Sequence, residues 1–329
     1  MTNIAQHAYT IRNKVTVLSD GSKISSSAFD NKSKFIIYRF DQIKFLRKRI
    51  KSNFAHNYLK NNKIDRIFFD SWKSIESFNC TTDAKKICLV HGNEILKLSN
   101  KSRIFNALYK ADLIIFNSQF TKNKTFKNFK NLNKIEHTVI YPAFIKKIFK
   151  SKINKKKYDL CTVARLEYRK GHHLVLEAMS ILRNEQNILL KYAILGDGPE
   201  LSKLKDLVLK YSLHKQVDFV NHNCSSEKIF KNSSIHIMPT ITTPESIEGF
   251  GISNVEAASF GLPCIVSDSG GTPESIGENG IIVKENDPKQ LVKSIIDIFK
   301  KYKNYSKKSY IFAKNFESKK KIEEYLDNF

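Results

Sequence analysis

The stretch Thr243-Pro-Glu-Ser-Ile-Glu-Gly-Phe-Gly-Ile-Ser-Asn-Val-Glu256 connects a strand-like segment to a helix-like segment. An apolar, strand-like run at residues 234–238 precedes it, and a helix-like run at residues 253–260 follows it and stops at Gly261. Gly249 and Gly251 allow the backbone to approach a ligand closely and to take dihedral angles that other residues resist. The sequence therefore predicts a ligand site at a strand-to-helix junction of an α/β fold.

Two carboxylates flank this turn, Glu248 before it and Glu256 in the helix-like segment. The first free N–H groups of a helix attract an anion, which a carboxylate cannot bind. A carboxylate accepts hydrogen bonds from a vicinal diol instead, as acidic residues do with ribose. The pattern indicates a small ligand that carries both an anionic group and neutral sugar hydroxyls.

The composition is that of a globular protein with about two domains. The chain has 329 residues, of which 41% are hydrophobic, and no apolar run approaches the roughly 20 residues of a membrane span. The first residues do not have the pattern of a signal peptide. The five cysteines lack C-x-x-C spacing, which argues against a zinc site and favours a reducing compartment. We therefore expect a cytoplasmic protein.

The net charge of +24 is compatible with nucleic acid, an anionic membrane surface or an acidic substrate. Only nine of the 56 basic residues are arginine, whereas base recognition favours arginine, and no nucleic-acid-binding motif is present. We therefore expect no nucleic-acid partner. Segments 45–51 and 120–127 mix aromatic and basic residues, so they are either solvated faces or a surface for an anionic membrane at which the protein is peripheral.

Strand-like and helix-like segments alternate along the chain, which predicts parallel sheets built from βαβ units. The first half has strand patterns at 15–18, 34–38, 67–69, 87–90, 113–116 and 138–141, and a helix pattern at 41–61. A lysine-rich run at 146–157 is typical of a linker. Strand patterns then return at 158–163, 189–195, 217–220, 235–238, 264–266 and 280–283. We expect two α/β domains with a ligand site in the cleft between them.

Arg165 and Lys170 follow the strand pattern at 158–163. Arginine binds a diphosphate through its planar fork and lysine binds it as a point charge. The two residues are therefore candidates for a diphosphate clamp, and the alternative is a solvated basic turn.

Two glycine turns also follow strand patterns in the second half. The turn that begins at Gly196 lacks the third glycine of a dinucleotide fingerprint, because position 201 is leucine. This disfavours a nicotinamide oxidoreductase, although Gly196 can still admit a nucleotide. The pair Gly270-Gly271 is either part of the ligand site or an ordinary left-handed turn.

These motifs occur in a fixed order: Arg165…Lys170-Gly171, Gly196-Asp-Gly-Pro199, Glu248 to Glu256, Ala258…Gly261-x-Pro263 and Gly270-Gly271-x-x-Glu274. The series resembles the family 4 retaining glycosyltransferases, whose hallmark is two glutamates separated by seven residues. The resemblance covers the second half of the chain and, more weakly, the first half. It implies a GT-B fold, in which two Rossmann-like α/β/α domains with parallel sheets face a central cleft.

The resemblance also implies roles for individual residues around a nucleotide-diphospho-sugar donor. Arg165 and Lys170 hold the diphosphate, Glu256 binds the ribose, and Glu248 binds hydroxyls of the transferred sugar. The donor is lined by Gly249, Phe250, Gly251, Ile252 and Gly196.

The first half contributes two further candidates by resemblance. His91 matches a strand-end histidine that reaches the donor sugar or the reacting centre, although an isolated histidine is more often structural. Ser118 matches a segment on the acceptor side.

The activity implied is the transfer of a sugar to a glycan or lipid-linked acceptor with retention of anomeric configuration, in cell-surface polysaccharide or lipopolysaccharide synthesis. Because no D-x-D pair follows a strand, we expect neither a metal nor a cofactor. An inactive or truncated nucleotide-sugar-binding protein of the same fold is the alternative. A phosphorylase is disfavoured because it needs a far longer chain with a pyridoxal-bearing domain.

We expect an acceptor-side domain at 1–150, a donor-binding domain at 151–305, and a C-terminal helix at 306–329 that packs back towards the first domain. Residues 4–12 match the end of the family's first helix, so its first strand and glycine-rich loop have no counterpart in the sequence. Loss of a central strand leaves unpaired backbone groups. We therefore expect a gap in the first sheet.

Overall fold

The computed structural model describes residues 2–10, 14–22, 28–96, 98–142, 147–149, 156–221 and 223–326. The chain divides into two compact units. The first unit comprises Met1–Asn117, Thr121–Ile140 and Lys319–Phe329, and the second comprises Ser118–Phe120 and Tyr141–Ser318. The linker predicted at 146–157 lies largely outside the described residues.

The first unit contains two parallel sheets. Its strands are β1 Thr16–Asp20, β2 Ile36–Phe40, β3 Arg66–Phe69, β4 Lys85–Val90, β5 Leu113–Phe116 and β6 Glu136–Val139. Strands β1 and β2 pair with each other, and β3 to β6 form a four-stranded sheet in sequence order. Among the described residues no ladder joins the two sheets, and the expected loss of a central strand stays a prediction.

The helices of the first unit are α1 Thr2–Thr10, α2 Lys44–Asn61, α3 Trp72–Glu76, α4 Lys101–Leu108 and α5 Gln119–Asn128, which begins in the second unit. Helices α3 and α4 pack on the four-stranded sheet through Trp72, Ile75 and Ile104. All four residues of β5 are buried, as is typical of a parallel strand covered on both faces.

Helix α2 is exposed where its sequence predicts burial. Ile43, Leu46, Ile50 and Phe54 have the spacing that normally marks the buried face of a helix. Only Phe54 packs inwards, with its ring 4.5 Å from that of Tyr38. The other three side chains are exposed to solvent. The apolar spacing of α2 therefore does not mark its buried face.

The second unit is built on one six-stranded parallel sheet in the order β12-β11-β10-β7-β8-β9. Its strands are β7 Tyr158–Val163, β8 Tyr192–Leu195, β9 Val217–Val220, β10 Ser233–Met238, β11 Cys264–Ser267 and β12 Gly280–Val283. The chain runs outward from β7 to β9, returns to β10, and then runs outward in the other direction. The order therefore reverses between β7 and β10, the position at which open α/β sheets bind ligands.

The remaining helices are α6 His172–Gln186, α7 Leu201–Lys210, α8 Ser226–Lys231, α9 Ile252–Ala258, α10 Pro288–Lys300, α11 Tyr302–Lys314 and α12 Ser318–Leu326. Consecutive residues of a strand point to opposite faces of the sheet, and Leu160 and Cys161 of β7 belong to two different apolar clusters. Helices therefore cover both faces of the sheet. From Lys319 onwards α12 belongs to the first unit, where the Tyr325 hydroxyl donates to the Ile140 carbonyl over 3.0 Å. No helix in the described ranges is long and apolar enough to cross a bilayer.

Candidate functional site

Three loops of the second unit meet at the carboxyl ends of adjacent strands β7, β10 and β11. The Arg169 carbonyl, in the loop after β7, accepts a hydrogen bond of 2.7 Å from the Ile241 amide, in the loop after β10. The Glu248 carbonyl accepts one of 2.8 Å from the Gly271 amide, in the loop after β11. The site thus lies where the strand order reverses, and its loops are joined by backbone hydrogen bonds.

The loop after β7 is held in place by a buried leucine and a glycine. Leu166 is fully buried and makes two backbone hydrogen bonds to the loop after β8. Its amide donates to the Asp197 carbonyl, and its carbonyl accepts from the Glu200 amide. A short 3-10 turn, Tyr168–Lys170, then ends at Gly171, which has a φ of 71°. A Cβ at Gly171 would lie closer than 3.0 Å to the Pro239 carbonyl oxygen. Only glycine satisfies both constraints, and Lys170 is thereby placed beside the loop after β10.

Glu248 is paired with two cations from the loop after β7. One of its carboxylate oxygens, Oε2, accepts a 2.7 Å bond from Arg169 Nη1 and a second bond from Lys170 Nζ. All three side chains are largely buried. The sequence prediction placed Lys170 and Glu248 at one site, and the structure brings the two side chains together.

Burial and charge act in opposite directions on this cluster. Burial raises the pKa of Glu248, but the nearby Lys170 and Arg169 together outweigh it, so the pKa of Glu248 is lowered overall. Burial also lowers the pKa of Lys170, against the attraction of Glu248. With Glu167, which pairs with both Arg165 and Arg169, the group has three cations and two carboxylates, and this excess of one positive charge suits an anionic ligand.

Arg165 lies apart from Glu248. Its side chain is 72% exposed, and its Nη1 pairs with Glu167 Oε1 at 2.9 Å. The other oxygen of Glu167 accepts a 3.0 Å bond from Arg169 Nε. Glu167 therefore connects Arg165 to the cluster, and the diphosphate contact of Arg165 stays a prediction.

Arg169 is the functional candidate that sequence reasoning missed. It was one more basic residue in the run Glu167-Tyr-Arg-Lys170, and nothing in the sequence separated it from Arg165. Its burial is the distinguishing fact, because a buried guanidinium requires carboxylate partners. Arg169 has two, Glu167 and Glu248.

Glu256 has a different environment from Glu248. It lies half-buried on α9, and burial raises the pKa of its carboxyl group. Within the described ranges, its side chain makes no hydrogen bond or ion pair. Two carboxylates with opposite pKa shifts are suited to different partners, a cation cluster for Glu248 and neutral hydroxyls for Glu256.

The turn between the two glutamates is packed against the glycine pair of the next loop. A Cβ at Gly270 would lie closer than 3.0 Å to the Glu248 carbonyl oxygen, and one at Gly271 would lie equally close to that of Gly249. Gly270 also has a φ of 60°. The left-handed turn is therefore confirmed at Gly270, and the place of this pair in a ligand site stays a prediction.

The other donor-lining candidates are divided between core and surface. Phe250 is buried, and its ring stacks on that of Tyr141 at 5.0 Å. Gly251 precedes α9 with a φ of 98°, and Ile252 begins that helix with an exposed side chain. Phe250 therefore anchors the turn, and Ile252 is available to a ligand.

Gly196 and Ser118 are placed by close packing. A Cβ at Gly196 would lie closer than 3.0 Å to the Ala164 carbonyl oxygen, so a packing constraint already accounts for this glycine. Ser118 is fully buried in the second unit, and its Oγ would lie 3.0 Å from a Cβ at Gly271. These observations test neither the predicted contact of Gly196 with the donor nor that of Ser118 with the acceptor.

His91 belongs to the first unit and follows β4. Its Nε2 lies 2.9 Å from the Asp70 carbonyl oxygen, and its amide donates to the Glu94 carboxylate. The imidazole is exposed at the carboxyl end of a strand, which is compatible with its predicted role. That role stays a prediction.

The lowered pKa of Glu248 predicts a stability contribution that depends on pH. A carboxyl group whose folded pKa lies below its unfolded value stabilises the fold above the unfolded value, here 4.5, and loses this contribution as pH falls through the folded pKa. We expect the difference in unfolding free energy between the wild type and Glu248→Gln to be constant above about pH 6 and to shrink below about pH 4.5. Urea denaturation at several pH values measures it, and a difference that grows on acidification would contradict the pKa direction.

Comparison with known proteins identifies the family. The sequence profile of the glycosyl transferases group 1 matches residues 144–328, more than half of the chain. A putative colanic acid biosynthesis glycosyltransferase, WcaL of Salmonella typhimurium, is 31% identical over 138 residues, which are 40% of this chain and 34% of the relative. The matched part thus spans about a third of that relative's length.

Solved structures show the same fold. HepE of Anabaena, crystallised with UDP and glucose, has a TM-score of 0.79 at 17% identity, over 99% of this chain and 94% of HepE. A glycosyltransferase of Rickettsia africae has a TM-score of 0.78 at 17% identity, over 99% of this chain and 92% of its own.

The parallel sheets of the two units and their topology define a GT-B fold. The chain belongs to the glycosyl transferases group 1 family.

Proposed function

We propose that the protein is a glycosyltransferase that moves a sugar from a nucleotide-diphospho-sugar to a glycan or lipid-linked acceptor with retention of configuration. We place it in cell-surface polysaccharide or lipopolysaccharide synthesis, at the cytoplasmic face of a membrane. Similarity to a relative named for colanic acid biosynthesis supports this setting.

The observation that carries the proposal is the cluster of Glu248, Lys170 and Arg169 at the switch point of the sheet. A carboxylate that accepts sugar hydroxyls lies directly beside buried cations that attract a diphosphate. The carboxylate of Glu256, which pairs with no group in the described part of the chain, follows within the same strand-to-helix unit and suits the ribose hydroxyls. The site thus offers complementary groups to each part of a nucleotide-sugar.

The reaction requires a leaving diphosphate to be stabilised and a proton to be taken from the acceptor. Lys170 and Arg165 supply positive charge to the departing diphosphate, and fixed charges of this kind contribute most when the site excludes water. The departing phosphate oxygen takes the acceptor proton on the same face of the sugar. Glu248 orients the sugar through its hydroxyls, and His91 reaches the reacting centre.

We propose that this chemistry needs no metal ion. Because lysine and arginine stabilise the leaving group, transfer is expected to proceed at the same rate in excess EDTA as without it. Addition of Mg²⁺ is expected to change this rate by less than about twofold. A loss of activity in EDTA that Mg²⁺ reverses would contradict metal independence without affecting the assignment as a transferase.

A donor screen tests the proposal directly. The purified chain is incubated with UDP-, GDP- and ADP-sugars and a panel of glycan and lipid-linked acceptors, and products are detected by mass spectrometry. One donor is expected to yield a free nucleoside diphosphate and a glycosylated acceptor whose anomeric configuration, read by NMR, is that of the donor. An inverted product would contradict retention.

The alternative is a nucleotide-sugar-binding protein without turnover. Among the described residues β1 and β2 pair only with each other, apart from the four-stranded sheet, and this arrangement favours the alternative. Calorimetric binding of UDP-sugars, combined with neither hydrolysis nor transfer across the panel, would establish this alternative.

A further inference from the structure

The first two turns of α2 present apolar side chains to solvent. Phe45 is 80% exposed and Ile43 is 72% exposed, and Leu46 and Ile50 are also exposed. Along the helix, residues 45, 46, 49, 50 and 53 are exposed, whereas residues 47, 51 and 54 are partly covered. The exposed face of these turns therefore combines the apolar side chains of Phe45, Leu46 and Ile50 with the basic side chain of Arg49.

The same turns are strongly basic. Residues 43–51 contain five lysines and arginines and no acidic residue. Arg47 and Lys51 pair with Asp20, and Lys48 pairs with Glu76, whereas Lys44 and Arg49 form no ion pair within the described ranges. A cavity of about 520 Å³ lies beside Phe45 and Arg49, and none of the residues that line it is aspartate or glutamate. The surface thus combines exposed apolar groups with uncompensated positive charge.

We propose that residues 43–50, which are the residue before α2 and the first two turns of that helix, dock on an anionic lipid bilayer. Basic residues with aromatic and aliphatic side chains on one exposed face are the features that insert at the boundary between headgroups and acyl chains. The inference deepens the proposed function, on which it rests for the lipid-linked acceptor.

The structure separates the two segments that were candidates in the sequence. In helix α5, the second candidate, Thr121 and Thr125 are buried and Phe126 packs 5.4 Å from Phe116. No large apolar side chain of α5 is exposed. Of these two helices, α2 alone has exposed large apolar side chains among the described residues.

Charge argues against a second copy of the chain as the occupant. Each copy carries a net charge of +24, and like charges oppose self-association. An anionic bilayer satisfies both the charge and the apolar side chains, whereas a nucleic acid leaves Ile43, Phe45 and Leu46 without a partner.

Vesicle co-sedimentation tests the proposal on the full chain. Wild type is expected to bind phosphatidylcholine vesicles containing about a quarter phosphatidylglycerol, to bind pure phosphatidylcholine weakly, and to dissociate near 1 M salt, where the Debye length is about 3 Å. Phe45→Ser with Leu46→Ser is expected to lower the bound fraction at least about tenfold. The matched control is Leu209→Ser with Ile311→Ser, two exposed apolar residues of the second unit, and it is expected to bind as wild type does.

Several outcomes would overturn the docking surface. The first is equal sedimentation of the wild type and the α2 variant with vesicles, and the second is equal binding to anionic and neutral vesicles. The third is an oligomer, detected by light scattering, that forms in the wild type and the control variant but not in the α2 variant. Donor hydrolysis in detergent-free buffer is measured on the same preparations. If neither donor hydrolysis nor transfer to an acceptor of the panel is detected in any of them, the proposed function fails, while vesicle binding still decides the docking surface.

Discussion

Replacing Glu248 by glutamine is expected to lower the turnover of sugar transfer by at least about 10²-fold, or about 2.7 kcal/mol of transition-state stabilisation. Glutamine has nearly the same shape but no charge, so it binds sugar hydroxyls less strongly and no longer pairs with Lys170 and Arg169. Initial rates with a saturating donor, identified by the screen described above, measure the effect.

A second measurement separates this role from simple unfolding. The substitution removes a negative charge beside two cations, so the affinity for UDP is expected to stay unchanged or to increase. An unfolded variant would lose UDP binding together with turnover. Glu227→Gln is the matched control, because Glu227 pairs with Lys231 on an exposed helix surface and should turn over as wild type does. Wild-type turnover in Glu248→Gln would contradict the role of Glu248.

Replacing Gly171 by alanine is expected to lower the free energy of unfolding by about 3 kcal/mol or more. The positive φ costs about 1–2 kcal/mol for a residue with a Cβ, and forcing that Cβ against the Pro239 carbonyl adds about 1–3 kcal/mol of overpacking. Urea denaturation followed by circular dichroism measures the change. Because Lys170 is the preceding residue, the surviving folded protein should also bind UDP more weakly.

Gly21→Ala is the matched control for the steric part of this effect. Gly21 has a φ of 113°, and a Cβ there would have no heavy atom within 4 Å. It therefore carries only the backbone cost of a positive φ. Equal destabilisation by the two substitutions would show that the close approach of Gly171 to Pro239 contributes nothing.

Much of the fold is predictable from the sequence because the signals are local. The strand patterns at 113–116 and 158–163 coincide with β5 and β7, since both are short apolar runs bounded by polar residues. The strand pattern at 189–195 is longer than the strand in the structure, where β8 begins at Tyr192. Elements with strong periodicity are thus located to within a few residues.

Helix α2 shows where local periodicity is insufficient. Ile43, Leu46 and Ile50 have helical spacing, but spacing alone does not state what covers them. The sheet below α2 is contacted by Phe54 instead, so the other apolar side chains are left at the surface. Only the tertiary structure reveals that these residues form an exposed surface.

The sequence by itself determined the alternation of strands and helices and the loop that carries Glu248 and Glu256, because both depend on neighbouring residues. It did not determine which cations meet Glu248. Arg169 is 79 residues away along the chain and reaches Glu248 because β7 and β10 are adjacent strands, whereas Arg165, four residues earlier, is directed to Glu167. Strand order is a property of the whole sheet, so the choice between two nearby arginines was made only by the tertiary structure.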